Sequence, residues 1–464
     1  MGAQFSVSEI ENAVSGTLLE GRIDMQVSGV STDSRTIKVE ELFVPIEGPN
    51  FDGHNYLKAA LEAGAAGCLV ARGRLSRVQG DAFLVEVEDT LQALGDLAHF
   101  HRARFDLPVV AVTGSNGKTT TKEMLGAILA EGGKTLKSQG NLNNLIGLPH
   151  QVFNLGPLHE RAVFEMGMNR PGEIRRLAKI AGPILAVITS IAPAHLEDLG
   201  SIEAVRDAKG ELLDAMGPEG VAVMPYKDIQ CGILADRFRA KGGRVLSFSL
   251  GRGSDAYATD IRMSPQDGIS FRIHLHGEEM EVQLPAVGQQ NVLNALAAAA
   301  AASHLGSSLK EIAQGLEGVV LPDMRLSAVK IRQEVFLLDD AYNANPTSVR
   351  LAIETLGELK GAGRAFAILG DMKELGTYEE FAHVEIGRMV AAGEIDFLAT
   401  VGPLMRYAAL EALESGVAAN WIESCDTPEE AAAWTAERLM PGDWVLVKGS
   451  RSMKMERAVE VLRG

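Results

Sequence analysis

Cysteine is scarce in this chain: three residues among 464, at Cys68, Cys231 and Cys425. Their wide spacing and odd number argue against a disulfide framework or a metal cluster and fit reduced, mostly buried thiols. Also absent is any uninterrupted apolar stretch near the roughly 20 residues needed to cross a bilayer, so no membrane insertion is expected. The first ten residues lack a basic segment followed by an apolar run, so no secretory signal is visible and the expected location is cytoplasmic. No basic run offsets the net charge of −17, which argues against nucleic acid or an anionic membrane as a partner. A small anionic ligand is not excluded. It would need a local pocket of lysine, arginine, amide N–H groups and bound cations.

What is present is ordinary for a globular protein: 46% hydrophobic and 23% charged residues. The length exceeds what one hydrophobic core usually serves, so several domains are expected. Residues 1–88 read as a small α/β unit, with short strands near Val27–Asp33, Leu42–Pro45 and Ala82–Glu88 and a helix at Tyr56–Ala63. Residues 89–321 open on a helical stretch, Thr90–Arg104, and then the β-branched run Leu107–Thr113, typical of a buried parallel strand. Further strands are expected at Ala162–Glu165 and Ile184–Thr189, and an alanine-rich helix from Gln289 to Leu305. Residues 322–464 repeat the rhythm, with strands at Val335–Asp339, Ala365–Leu369, Phe397–Val401 and Trp444–Val447. Alternating strand and helix implies parallel sheets covered on both faces. The expected fold is α/β in three domains: a small N-terminal unit, a central parallel-sheet ATPase of P-loop type and a Rossmann-like C-terminal unit.

The strongest chemical signal is Thr113-Gly-Ser-Asn-Gly-Lys-Thr-Thr120, between a strand and a helix. Glycines let backbone N–H groups close around phosphates, the helix N-terminus adds positive potential, and Lys118 neutralises the β/γ-phosphates. Gly114, Ser115, Asn116, Gly117, Thr119 and Thr120 complete the cradle, with the Thr119 hydroxyl suited to Mg²⁺. The usual P-loop has glycine six residues before the lysine, where this chain has Val112. Glu165 ends an apolar strand, where ligands bind in such sheets; it fits a metal ligand or a solvated acidic residue. His195 follows another strand and fits a ligand or a hydrogen-bonded structural residue. Lys209 lies in a helical stretch whose local pattern favours an exposed lysine. Asn291 and Asn294 share one helix face and suit a base, a ribose or, more commonly, capping. Arg325 is a candidate phosphate clamp or a surface ion-pair partner. Three polar loops each follow an apolar strand of the last segment: Asp339–Pro346, Gly370–Gly376 and Lys448–Arg451. Together they suggest one rim of a cleft.

This set resembles the Mur ligase family. The residues that carry the likeness are Gly114–Thr120, Asn143-Asn-Leu-Ile-Gly147, Glu165-Met-Gly-Met-Asn169, Ala194-His-Leu196 and Ala208-Lys-Gly-Glu211. They continue with Asn291-Val-Leu-Asn294, Asp340-Ala-Tyr-Asn-Ala-Asn-Pro346, the Gly370–Gly376 loop, Lys448-Gly-Ser-Arg451 and, earlier, Ser31-Thr-Asp-Ser-Arg35. The Tyr-Asn-Ala-Asn-Pro and Asp-Met-Lys-Glu-Leu-Gly loops resemble the branch that adds D-alanyl-D-alanine to UDP-N-acetylmuramoyl-tripeptide, a step of cytoplasmic cell-wall synthesis. By that resemblance the first domain binds the UDP part of the precursor through Ser34 and Arg35. Asn291, Asn294, Arg325 and Asp340 would contact ATP. Thr119, Glu165, His195 and a carbamylated Lys209 would serve two Mg²⁺ sites, with Lys118, His195 and Lys209 in catalysis. Asn143, Asn144, Tyr342, Asn343, Asn345, Lys448, Ser450 and Arg451 would face substrates, in a monomer. One departure stands out: the family's Gly-x-His-Asn is here Gly288-Gln-Gln-Asn291, so Gln290 replaces an imidazole.

The implied chemistry has a physical rationale. A carboxylate accepts an amine only after one of its oxygens becomes a leaving group, which phosphoryl transfer from ATP supplies. Two anions must then approach, with repulsion of about 4 kcal/mol at about 4 Å and an effective dielectric of about 20. Lys118 and Mg²⁺ would offset it. The rival readings are a sibling ligase adding the third amino acid, a folylpolyglutamate-type ligase, and a nucleotide-binding switch that performs no ligation.

Overall fold

Short β-branched runs separated by glycine turns form three main sheets, one after another along the chain, in a computed structural model that describes residues 3–74, 81–332 and 334–464. The first sheet has five strands in the order Thr17–Glu20, Phe83–Val87, Gly67–Ala71, Glu41–Phe43 and Gly29–Ser31. Only the first pair is antiparallel. The preceding helix, Val7–Val14, starts at a reciprocal cap in which Ser6 and Glu9 satisfy each other's backbone N–H. Its buried face, with Ile10 and Val14, joins Leu94 and Leu97 of the helix Thr90–Arg102 in one apolar cluster. Phe5 meets Phe153 edge-on, ring centroids 6.0 Å apart. Burying that aromatic area ties the first unit to the second through a continuous core.

The central sheet has nine strands. Their order is Thr135–Lys137, Arg161–Glu165, Val109–Thr113, Leu185–Ile188, Val221–Pro225, Arg244–Ser249, Ala256–Ser264, Gly268–Leu275 and Glu278–Leu284. Pairing is parallel as far as Ala256–Ser264, but the last three strands form an antiparallel meander. The expected parallel sheet is present, and the meander extends it at one edge. Gly268–Leu275 alternates, with Ile269, Phe271, Ile273 and Leu275 buried and the residues between them only partly so. That period of two marks a half-solvated antiparallel strand rather than a fully covered parallel one. The alanine-rich helix Gln289–His304 packs on this sheet and on the helix Lys118–Gly132. Seven of its eleven buried residues are alanine, which allows close approach.

The third sheet runs Ser327–Arg332, Val335–Asp340, Trp444–Lys448, Ala365–Gly370, Phe397–Val401 and Ile422–Cys425. Apart from the antiparallel first pair, every pairing is parallel. Val335–Asp340, Trp444–Lys448 and Ala365–Gly370 are adjacent, so the three polar loops that follow them share one rim. The α/β class is as expected. The three cysteines are free and buried. Among the described residues no helix is long and apolar enough to cross a membrane.

Candidate active site

Register explains the convergence at the phosphate turn. Val112 lies opposite Glu165 on one side and Val187 on the other. Glu165, the Thr113–Lys118 turn and Thr189 therefore emerge at the same sheet end. Val112 itself is fully buried in the strand, so the turn is confined to Gly114–Gly117. Both glycines are required. Gly117 has φ 83°, and a methyl group there would sit 2.2 Å from Asn294 Oδ1; one at Gly114 would sit 2.0 Å from Thr189 Oγ1. A left-handed conformation alone costs a non-glycine residue about 1–2 kcal/mol. Gly117→Ala is therefore expected to weaken ADP binding by about tenfold or more, measured by titration calorimetry.

Lys118 folds back over this turn, donating to the carbonyls of Gly114 at 2.7 Å and Ser115 at 3.3 Å. Burial lowers its pKa, with Glu165 opposing and Arg325 reinforcing the shift. Glu165 is 2% exposed. Its Oε1 accepts from Asn143 Nδ2 at 2.8 Å, and its backbone N–H donates to Ser138 Oγ at 3.1 Å. Its Oε2 is buried without a hydrogen-bond partner. Among the described residues no three His, Cys, Asp or Glu side chains form a preformed metal cluster. Yet the unpartnered Glu165 oxygen lines one cavity with Thr119, His195 and Lys209. A hard cation takes such oxygen donors and keeps several waters, so this mixed set fits Mg²⁺.

Lys209 overturns its local reading as an exposed lysine: it is 2% exposed, on the helix Ile202–Asp214. Val205, four residues earlier, and Ala208 and Leu212 are buried with it. That spacing was the available signal. Burial drives the Lys209 ammonium well below the ordinary lysine value, and the charge of Lys118 adds to the effect. Capping is likewise overturned for Asn291 and Asn294, because Gly288 caps that helix with no side-chain bond. Asn291 Nδ2 instead donates to the Val287 carbonyl at 2.8 Å, and Asn294 Nδ2 to Asn291 Oδ1 at 3.1 Å. Asn294 Oδ1 accepts from Thr121 Oγ1 at 3.3 Å, linking the helix to the one that follows the phosphate turn.

The third sheet supplies the opposite wall. Lys448 Nζ lies 2.6 Å from Asp340 Oδ2 and donates to the Asn343 carbonyl at 2.8 Å. Burial raises the Asp340 pKa, with Lys448 opposing. Among the described residues Arg325 has no ion-pair partner; its guanidinium lies 4.0 Å from the Tyr342 ring centroid. Asn345 caps the helix Pro346–Leu359 and exchanges hydrogen bonds of 2.7 and 3.3 Å with the Asn116 amide of the phosphate turn. The cavity between these walls is about 450 Å³. It is lined by Ser115–Thr120, Asn143, Asn144, Glu165, His195, Lys209, Asn291, Asn294, Arg325, Asp340, Tyr342, Asn343, Asn345 and Lys448.

Five candidates lie outside that lining, Gly114 of the glycine turn among them. Ser34 and Arg35 belong to the first unit, where the largely exposed Arg35 pairs with Asp33 at 2.7 Å. Ser450 Oγ accepts from the Lys373 N–H at 2.8 Å and so joins two rim loops. Arg451 pairs with Glu456 at 3.2 Å, its guanidinium 5.7 Å from the Tyr342 ring centroid.

Sequence reading missed Glu374, whose Oε2 lies 2.8 Å from His195 Nδ1 and whose carbonyl accepts from the Glu197 N–H at 3.1 Å. His195 holds φ 56°, a conformation that stores strain at functional sites. Gln290 bridges to the third unit, its Nε2 donating to Thr355 Oγ1 at 3.4 Å. The hydrogen bond from His195 lowers the Glu374 pKa below 4.5. Such a group stabilises the fold above its unfolded pKa, and the gain vanishes as pH falls through the lower folded value. Glu374→Ala is expected to lower Tm at neutral pH, with the difference from wild type closing on acidification past 4.5, read by scanning calorimetry.

Models of the Mur ligase middle domain, the Mur ligase glutamate ligase domain and the Mur ligase family catalytic domain match residues 112–302, 324–451 and 26–102. The chain is 36% identical over 461 residues to the UDP-N-acetylmuramoyl-tripeptide–D-alanyl-D-alanine ligase of Bacillus subtilis, with 98% of each chain covered. The chain belongs to the Mur ligase family. The ligase of the same name from Escherichia coli is 34% identical, covering 99% of this chain and 98% of its own. Among solved structures, MurF of Acinetobacter baumannii superposes with a TM-score of 0.91 at 32% identity, covering the whole of both chains. MurF of Thermotoga maritima in complex with ADP gives 0.83 at 29%, covering 94% of this Mur ligase and 96% of its own chain. Folylpolyglutamate synthase of Mycobacterium tuberculosis shares only the fold, at 0.63 and 16% identity over 81% of this chain and 94% of its own.

Proposed function

We propose that this Mur ligase uses ATP to join D-alanyl-D-alanine to UDP-N-acetylmuramoyl-tripeptide in peptidoglycan precursor synthesis. The observation that carries it is full-length likeness to ligases of that name, together with a cavity that sets a phosphate-binding turn against polar loops of a second sheet.

ATP lies with its β/γ-phosphates on the Gly114–Thr120 turn, where Lys118 leaves its carbonyl partners for the phosphate oxygens. Asn291, Asn294, Arg325 and Asp340 hold the rest of the nucleotide. Ser34 and Arg35 take the uridine diphosphate of the acceptor. Asn143 and Asn144 guide its peptide, whose terminal carboxylate oxygen attacks the γ-phosphorus as the bond to ADP breaks. The product is an acyl phosphate. The amine of D-alanyl-D-alanine, guided by Tyr342, Asn343, Asn345 and the Lys448–Arg451 loop, attacks the carbonyl and expels phosphate. Contact between the two walls keeps water from the acyl phosphate. Thr119, Glu165 and His195 are the residues that would hold Mg²⁺, with Lys209, once carbamylated, as a supporting anion. Bound there, the metal would neutralise phosphate charge during transfer. In this reading the enzyme acts as a monomer. ATP and a UDP-linked precursor as substrates support a cytoplasmic location.

The test offers ATP, the UDP-linked tripeptide and a mixture of D-alanyl-D-alanine, diaminopimelate, lysine and glutamate, with products read by mass spectrometry. Ligation of the dipeptide alone is expected. Ligation of a single amino acid instead would assign the chain to a sibling ligase, and no product with ADP still bound would make it a nucleotide switch.

A further inference from the structure

One turn beyond Lys118 on the same helix face lies a second lysine that the proposed chemistry does not use. Lys122 is fully buried. Its Nζ is 2.9 Å from Glu123 Oε1 and 3.9 Å from Glu165 Oε2. Lys122 Nζ thus pairs with Glu123 and also faces, across a wider gap, Glu165 Oε2, a buried atom with no hydrogen-bond partner of its own. Glu123 in turn meets Lys137, which is partly exposed. Charge thus alternates from the surface inwards: Lys137, Glu123, Lys122, Glu165. A dry ammonium is costly unless paired, and Glu165 is equally costly without a counter-charge. Glu123 already has Lys137, whereas Glu165 is hydrogen-bonded to an amide, Asn143, on its other oxygen and shares the charge of Lys118 with the cavity.

We propose that Lys122 is a positioning residue, the resident counter-cation that holds Glu165 in place and opposes divalent-cation binding until nucleotide phosphates arrive. The proposal rests on the reading of this cavity as a nucleotide and Mg²⁺ site. Two cations cannot share one carboxylate oxygen without repulsion. A lone metal ion therefore enters weakly, whereas one carried on ATP brings phosphate charge that offsets Lys122. Cation loading becomes tied to nucleotide loading, and Glu165 keeps its orientation between turnovers.

The probe is Mn²⁺ without nucleotide, followed by the paramagnetic resonance of the free ion. Lys122→Met is expected to bind Mn²⁺ about tenfold more tightly than wild type, the size of an ordinary coupling between two sites. Equal or weaker binding would overturn the proposal. A thermal cycle gives a second readout that survives a poorly folding variant. Lys122→Met alone should lower Tm, and Lys122→Met combined with Glu165→Gln should recover most of the loss. A double variant no more stable than Lys122→Met would assign the lysine to Glu123 and end the idea. MgADP titration separates this from the underlying reading. Binding by both wild type and Lys122→Met is expected. Loss confined to Lys122→Met would make the lysine a phosphate ligand, whereas failure of wild type itself would remove the nucleotide site.

Discussion

Lys118→Ala is expected to lower kcat/KM for acceptor-dependent ADP formation by about a thousandfold, the scale on which a preorganised electrostatic group contributes. Lys118 directly follows a turn too tight to admit a methyl group at either glycine. Its ammonium rests on two backbone carbonyls, so no side chain must be broken away from it when phosphate arrives. Burial already disfavours its charge, so an arriving polyphosphate gains more from it than from a solvated lysine. Lys118→Arg should not rescue, because a planar fork cannot occupy the space of a compact ammonium under this turn. A coupled ADP assay checks both variants. Wild-type rates in Lys118→Ala would place phosphate binding elsewhere.

For Lys209→Ala the expected loss is about a hundredfold in kcat, within the range of a group that supports transition-state charge. Small carboxylates such as formate or acetate should restore part of it by supplying the missing anion. The physical ground is the cation's surroundings: a buried ammonium close to Lys118 is disfavoured twice, by desolvation and by like charge. Reaction of the amine with CO₂ removes that charge and substitutes a negative one. The sign of the pH dependence follows. The Lys209 pKa is far lower in the folded chain than the ordinary 10.5, so between the two values the unfolded chain holds the extra proton. Stability therefore rises with pH through that window, and the neutral amine available to CO₂ increases in the same direction. Wild-type protein stripped of CO₂ should lose activity and regain it with bicarbonate. Full activity of Lys209→Ala would remove the carbamate from the mechanism.

The parts of the site legible in the sequence are those whose physics is local. A β-branched run followed by a glycine turn, a lysine and two threonines predicts an anion cradle at a helix start. The three polar loops of the last segment share a rim because parallel strands of one sheet end on one side. The residues misread or missed depend on packing between distant segments. Lys209 looks exposed until the helix that carries it is laid against its neighbours. The antiparallel meander at Ala256–Leu284 alternates, but its partner strands are set only once the alanine-rich helix covers them. Glu374 acquires meaning through His195, and Asn345 through Asn116, each joining two sheets far apart in sequence. Gln290 spans the same gap to Thr355 through a neutral amide. Lys122 was passed over because nothing in its neighbourhood along the chain reveals that Glu165 lies beside it.

The central claim is that the acceptor's carboxylate is activated by phosphoryl transfer inside this cavity. Acceptor carrying heavy oxygen in its terminal carboxylate tests that directly, with the phosphate released during ligation analysed by mass spectrometry. One labelled oxygen per released phosphate is the predicted result. Phosphate without label, formed at the rate of peptide-bond formation, would contradict the account.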